Sequence, residues 1–168
     1  INIYNSCNTG TISGGGNKGG LVAHANQIIN IDNSYNTGNI IGNTGGYIGG
    51  IIGRGSVDCS VTNSYNTGEI TCKGMYVGGI LGRNEGSKGK VEKCYNTGNI
   101  SCFYEYSKTY GGIVGTGNIP IDQSYNIGTI KSVSENTELG GIAGVANKSI
   151  TNSYNLGKLE VEGNRSLA

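Results

Sequence analysis

Tryptophan is absent from this chain, and proline, methionine, histidine and phenylalanine each occur once. A single histidine, His24, leaves no second imidazole for a zinc site and no evident partner for a nucleophile. Charge is scarce as well. Only 14% of the 168 residues are charged, against about a quarter in ordinary globular chains. The 12 Lys and Arg balance 11 Asp and Glu with no basic run, so the electrostatic footprint of a nucleic-acid binder is missing. No stretch approaches the roughly 18 apolar residues that a membrane helix requires. The chain opens inside a repeat, at Ile1-Asn2-Ile3-Tyr4-Asn5-Ser6, without a signal peptide, which suggests a piece of something larger. Five cysteines make an odd number with no CxxC pair, which indicates neither a complete disulfide framework nor a zinc knuckle.

What the chain has in excess is glycine (32), asparagine (22) and tyrosine (11). This is the composition of a turn-rich β protein. Ile and Val recur at fixed positions, which gives a packed state something to bury. A box of the form Asn-Ser-Tyr-Asn-Thr-Gly occurs six times, with its aromatic position at Cys7, Tyr35, Tyr65, Tyr95, Tyr125 and Tyr154. A second box, Gly-Gly and then two aliphatic residues, interleaves with it from Gly19, Gly49, Gly78, Gly111 and Gly140. A fixed period of about 30 residues signals a solenoid, a propeller or an array. Propeller blades need four antiparallel strands in about 40 residues. A coil that returns above itself fits better.

Alternation with period two marks strands within each unit. In the third copy Val61, Asn63 and Tyr65 share one parity, and Ile70 and Cys72 share another after Asn-Thr-Gly. Three strands per unit are expected, near Gly50 to Arg54, Ser60 to Asn66 and Glu69 to Lys73. Gly68 and its equivalents Gly10, Gly38, Gly98, Gly128 and Gly157 are expected to take positive φ in the intervening turn. The fold class is therefore all-β, a parallel β-helix of about five coils, expected to be right-handed, and residues 1–168 form a single domain. Stacking would align Tyr35, Tyr65, Tyr95, Tyr125 and Tyr154 in an aromatic column. Asn8, Asn36, Asn66, Asn96, Asn126 and Asn155 form a column without exception, as expected of an amide ladder hydrogen-bonded from rung to rung.

The alternation of Gly-Gly-Ile-Ile-Gly (Gly49 to Gly53), Gly-Gly-Ile-Leu-Gly (Gly78 to Gly82) and Gly-Gly-Ile-Val-Gly (Gly111 to Gly115) with Asn-Ser-Tyr-Asn-Thr-Gly resembles the GLUG motif repeat. Here the usual Leu is mostly Ile, Cys7 replaces the first Tyr, and Ala143 enters the last Gly-Gly box. The resemblance implies a bacterial cell-surface or secreted protein, such as an adhesin or the non-catalytic part of an immunoglobulin A-cleaving metallopeptidase. It names no ligand.

No catalytic set emerges. His-Glu-x-x-His is absent, and no calcium loop or other metal site is encoded, so no cofactor is expected. Glu92 and Asp122 would sit one rung apart facing outward, a spacing that a glycosidase could use but that a polar face also supplies by chance. Cys72 and Cys102 are expected to be buried free thiols. Arg54 and Arg83 would stack as two cations, either flaring into solvent or gripping an anion.

The largest departure from the repeat follows Cys102. Phe103, Tyr104, Tyr106 and Tyr110 place four aromatics in eight residues, and insertions in solenoids gather on one face, often the binding face. These are the candidate ligand contacts, suited to sugar rings. The expected function is a non-catalytic extracellular module that spaces or presents a binding surface, with a host glycan or glycoprotein as partner and further repeats of the same chain at both ends. No nucleic-acid partner and no membrane insertion are expected. An accessory substrate-docking region of a secreted metallopeptidase is the alternative, and a carbohydrate-active enzyme using Glu92 and Asp122 is a third reading.

Overall fold

A computed structural model describes residues 1–104 and 108–162. Each turn of the chain contributes five short strands; in the third coil these are Cys59–Thr62, Tyr65–Asn66, Ile70–Cys72, Tyr76–Gly78 and Leu81–Asn84. Every strand pairs in parallel with its equivalents in the adjoining coils, on both sides within the stack and on one side at its ends, giving three six-stranded and two five-stranded sheets. We number them first to fifth in that order. No described residue is helical. The chain is a parallel β-solenoid of about five coils.

Three strands per coil were expected and five are found, because two of the expected strands are broken. The first break is at Asn63, whose φ is 48°, with Asn5, Asn33, Lys93, Gln123 and Asn152 equally left-handed at the same place in the other coils. Asparagine tolerates that region better than most residues. One left-handed residue reverses the alternation, so Val61 faces inward before it, and Ser64 and Asn66 face inward after it. Tyr65, of the same parity as Val61, consequently turns outward and is half-buried.

Gly68 and its equivalents do not take positive φ. Their requirement is space: a Cβ on Gly68 would collide with the carbonyl of Gly38 one rung away.

The second break is the Gly-Gly box. Tyr47–Gly49 and Ile52–Gly55 fold back on one another through the corner Gly50-Ile51. A Cβ on Gly49 would strike the Ile52 carbonyl, and one on Gly53 would lie 2.7 Å from the Tyr47 carbonyl. The two strands therefore touch backbone to backbone, with Ile48 and Ile52 facing away from each other into separate cores while Tyr47 and Arg54 meet at the solvent end. Ile48 joins Ile40, Ile70, Cys72, Val77, Ile100, Cys102, Tyr110 and Ile130 in one core. Ile51 and Ile52 join Ile31, Val61, Ile80, Leu81, Val91 and Ile113 in another. Each coil is thus two-lobed, and the folded-back Gly-Gly segment forms the partition. Burial of these aliphatic columns, at about 25 cal/mol per Å² of apolar surface, is the main source of stability.

The partition is seated on the asparagines. A Cβ on Gly50 would be 2.6 Å from Cβ of Asn66, and one on Gly79 would be 2.6 Å from Cβ of Asn96. Asn36, Asn66, Asn96 and Asn126 are fully buried. Each donates from Nδ2 to the next asparagine's Oδ1 at 2.7–2.8 Å, and also to the carbonyl of the glycine two residues on at 2.8 Å. Asn8 starts the row and Asn155 ends it. Both amide hydrogens of every central member are used, which is what a buried amide requires. Serine supports the same strand: Ser64 Oγ accepts from the backbone N–H of Ser34 at 3.1 Å and donates to the Thr62 carbonyl at 2.6 Å. Cys94 replaces this serine in the fourth coil, where burial pushes its thiol up to about 12.

Candidate functional site

Tyr35, Tyr65, Tyr95, Tyr125 and Tyr154 form a continuous outward stack, with ring centroids 4.8–5.1 Å apart and planes within 5° of parallel. Each ring covers its neighbour's face, so the column offers edges and hydroxyls and no flat platform for a sugar.

The carboxylates are tied into the scaffold. Asp32 accepts from Thr62 Oγ1 at 2.6 Å and Asn63 Nδ2 at 2.7 Å, and Asp122 repeats the arrangement with Thr151 and Asn152 at 2.7 and 2.8 Å. Hydrogen bonds from Thr151, Gln123 and Asn152 hold the Asp122 carboxyl down at about 2. It is ionised at neutral pH and has no proton to give as a general acid. Glu92 lies beside it in register and is ion-paired with Lys90, not with the sequence neighbour Lys93, which occupies the left-handed position. His24 lies on the strand Val22–Ala25, not in a loop, and its Nε2 is 2.7 Å from Ser56 Oγ. Among the described residues no three His, Cys, Asp or Glu side chains converge as a metal would need. All five cysteines are free, with Cys72 and Cys102 Sγ 3.8 Å apart in the core.

The insertion after Cys102 divides into parts with different placements. Phe103 is 44% exposed, and its N–H donates to the Cys72 carbonyl at 2.7 Å. Tyr104 is half-buried beside Gly45, with Lys108 Nζ 5.1 Å from its ring centroid. Tyr106 lies outside the described residues.

Tyr110 must be withdrawn as a ligand contact. It is completely buried, and its hydroxyl donates to the Gly74 carbonyl at 3.2 Å. Burial pushes its phenol well above the usual tyrosine range. The physical reason is register: Val77, Tyr110 and Leu139 stand one above another immediately before the Gly-Gly pair, and that position faces inward. The signal was in the sequence, since Ile48 and Val77 precede their glycines in the same way.

Phe103 borders an open groove of about 310 Å³ on the third sheet. Ile41 and Thr71 form its floor in adjacent rungs, Asn43 and Lys73 stand along its edge, and Gly42 and Cys72 contribute backbone. Ile41 is 39% exposed. Ile41, Asn43, Thr71 and Lys73 were missed by sequence reasoning, which considered the loop without the two coils beneath it. The groove joins an aromatic ring and an aliphatic surface to amide, hydroxyl and ammonium donors, the combination with which small-molecule sites hold a polyhydroxylated ligand.

Among known protein families, the model of the GLUG motif fits residues 73–101. No curated protein and no solved structure matches the chain. The matched segment runs from Lys73 through the Gly78-Gly79 partition and the Asn96 rung to Ser101, which is one full coil. The coils on either side pair with it in register at the same boxes, so the chain is a repeat protein built on the GLUG motif.

Proposed function

We propose that this repeat protein is a non-catalytic module on the outside of a bacterial cell whose solenoid presents a saccharide-binding groove to host glycans or glycoproteins. The observation that carries this reading is the groove beside Phe103, where exposed Phe103 and Ile41 flank Asn43, Thr71 and Lys73. Strands carry Ile41 and Thr71, and the backbone N–H groups of Asn43, Lys73 and Phe103, just beyond the strand ends, are hydrogen-bonded to the preceding coil, so little backbone entropy is lost on binding. The repeat supports the reading because it makes a stiff support whose coils differ mainly at their outward residues.

The test is an array of host glycans and glycoproteins probed with the chain and with Phe103→Ala, both checked by circular dichroism. Specific binding that weakens about tenfold in the variant supports the groove, given that a buried aromatic contact is worth about 1.5 kcal/mol or more. Binding that is indifferent to Phe103 and to Ile41→Ser would end this reading.

A further inference from the structure

Where the folded-back Gly-Gly segment opens to solvent, two columns face each other. Tyr47 and Tyr76 stand on the fourth sheet, Arg54 and Arg83 on the fifth, and each pair is in register one rung apart. The Arg83 guanidinium lies 4.7 Å from the Tyr76 ring centroid and 5.5 Å from that of Tyr47, and Arg54 lies 5.1 Å from Tyr47. The arginines are not without partners, as two stacked cations first suggest. Glu85, just beyond the strand Leu81–Asn84, reaches both.

One carboxylate does not satisfy two guanidinium groups. Both Glu85 oxygens accept from the single Nη2 of Arg54, at 3.1 and 3.0 Å, and Arg83 Nε is 3.4 Å away. A fork-to-fork pair would use two nitrogens of one arginine. Arg54 Nε is buried with no hydrogen-bond partner, and so is Thr116 Oγ1, which follows Arg83 one rung further along the column. The cluster carries two positive charges against one negative. Its arginine side chains are about 30% exposed, and the tyrosine rings hold the guanidinium planes in place.

We propose that Arg54 and Arg83, stacked on Tyr47 and Tyr76, form a binding site for the carboxylate or sulfate of an acidic saccharide, with Glu85 as the internal competitor. The site stands on different sheets from the Phe103 groove and does not depend on it. A nucleic-acid phosphate backbone is the poorer fit, because its affinity comes from neutralising many phosphates and this chain has no basic run.

Calorimetric titration of the chain at low salt tests the proposal with four probes. These are a heparin-derived tetrasaccharide, a hyaluronan tetrasaccharide, which carries carboxylate alone, neutral chitotetraose and a single-stranded oligonucleotide. The acidic saccharides should bind in a manner that depends on Arg54 and Arg83, and any binding of chitotetraose should not depend on them. A response to heparin alone assigns sulfate, a response to hyaluronan assigns the carboxylate, and both support the site. Arg54→Gln and Arg83→Gln should each weaken binding about tenfold or more. Glu85→Gln should tighten it several-fold. Circular dichroism establishes that each variant keeps the fold. Absence of binding to the chain and to Glu85→Gln would overturn the proposal. So would binding indifferent to either arginine, weaker binding in Glu85→Gln, or equal binding of the oligonucleotide.

Discussion

Replacing Asn96 by Ala probes the row of asparagines where it is fully buried. Asn96 Nδ2 donates to the Gly98 carbonyl and to Asn126 Oδ1, both at 2.8 Å, and its Oδ1 accepts from Asn66 at 2.8 Å. The substitution removes three hydrogen bonds, each worth about 1 kcal/mol net. It also leaves Asn126 Oδ1 without its cross-rung donor in a site that water does not reach, at about 1–3 kcal/mol more. The expected loss is about 4 kcal/mol, a large share of the roughly 5–15 kcal/mol that holds a domain folded. Asn155→Ala is the control. Asn155 is the last member and half-buried, so water can take over much of what its three hydrogen bonds supply, including the acceptor for Asn126 Nδ2; its loss should cost about 1–2 kcal/mol. The assay is equilibrium urea unfolding followed by far-UV circular dichroism, comparing midpoints at unchanged slope. A loss for Asn96→Ala below about 1.5 kcal/mol, or no larger than for Asn155→Ala, would refute the reasoning.

Gly79→Ala places a Cβ 2.6 Å from Asn96 Cβ and against the Gly112 carbonyl. It should destabilise by about 3 kcal/mol or more, read as urea midpoint or as loss of soluble folded protein. Lys93 holds a left-handed backbone with φ of 53° where four other coils have Asn. Lys93→Asn should therefore raise the unfolding midpoint, by about 0.5–1 kcal/mol. Burial raises the thiols of Cys59 to about 11 and Cys94 to about 12 from an ordinary 9.0. Their contribution to stability is complete below pH 9 and is lost as pH rises through the folded values, by up to about 1.4 kcal/mol per pH unit for each group. Between pH 8 and 10 the wild type should lose stability faster than Cys94→Ser, which carries the serine found at this place in most coils. Equal slopes would contradict the assignment.

The period, the parallel stacking and the asparagine row were legible because they depend on residues that recur at the same step in every coil. The two breaks were not. Asn63 sits inside an apparent strand, and the asparagine that recurs at this place in four coils was read as a polar strand residue although it is the residue type that best tolerates a left-handed φ. With that break unrecognised, the outward turn of Tyr65 was missed as well. Gly68 and its equivalents were read as turn-formers, a property of isolated residues, whereas Gly68 is required by contacts with the neighbouring coil. Such contacts appear only once the coil is closed. In the candidate site, exposed Phe103 was legible as part of an insertion. Tyr110 was misplaced because the insertion was taken to extend to the Gly-Gly pair, although the strand Thr109–Gly111 has already rejoined the ladder. The groove floor at Ile41 and Thr71 lies 62 and 32 positions before Phe103 in the chain and depends on stacking alone.

Side-chain amide hydrogen exchange, followed by nuclear magnetic resonance, tests the two-lobed coil most directly. If the Gly-Gly partition is seated on a buried asparagine row, the Nδ2 hydrogens of Asn36, Asn66, Asn96 and Asn126 should exchange as slowly as the backbone amides of the core strands. Those of exposed Asn30 and Asn33 should exchange at once. Rapid exchange at all of them would mean that water reaches the row and that the partition does not exist as described.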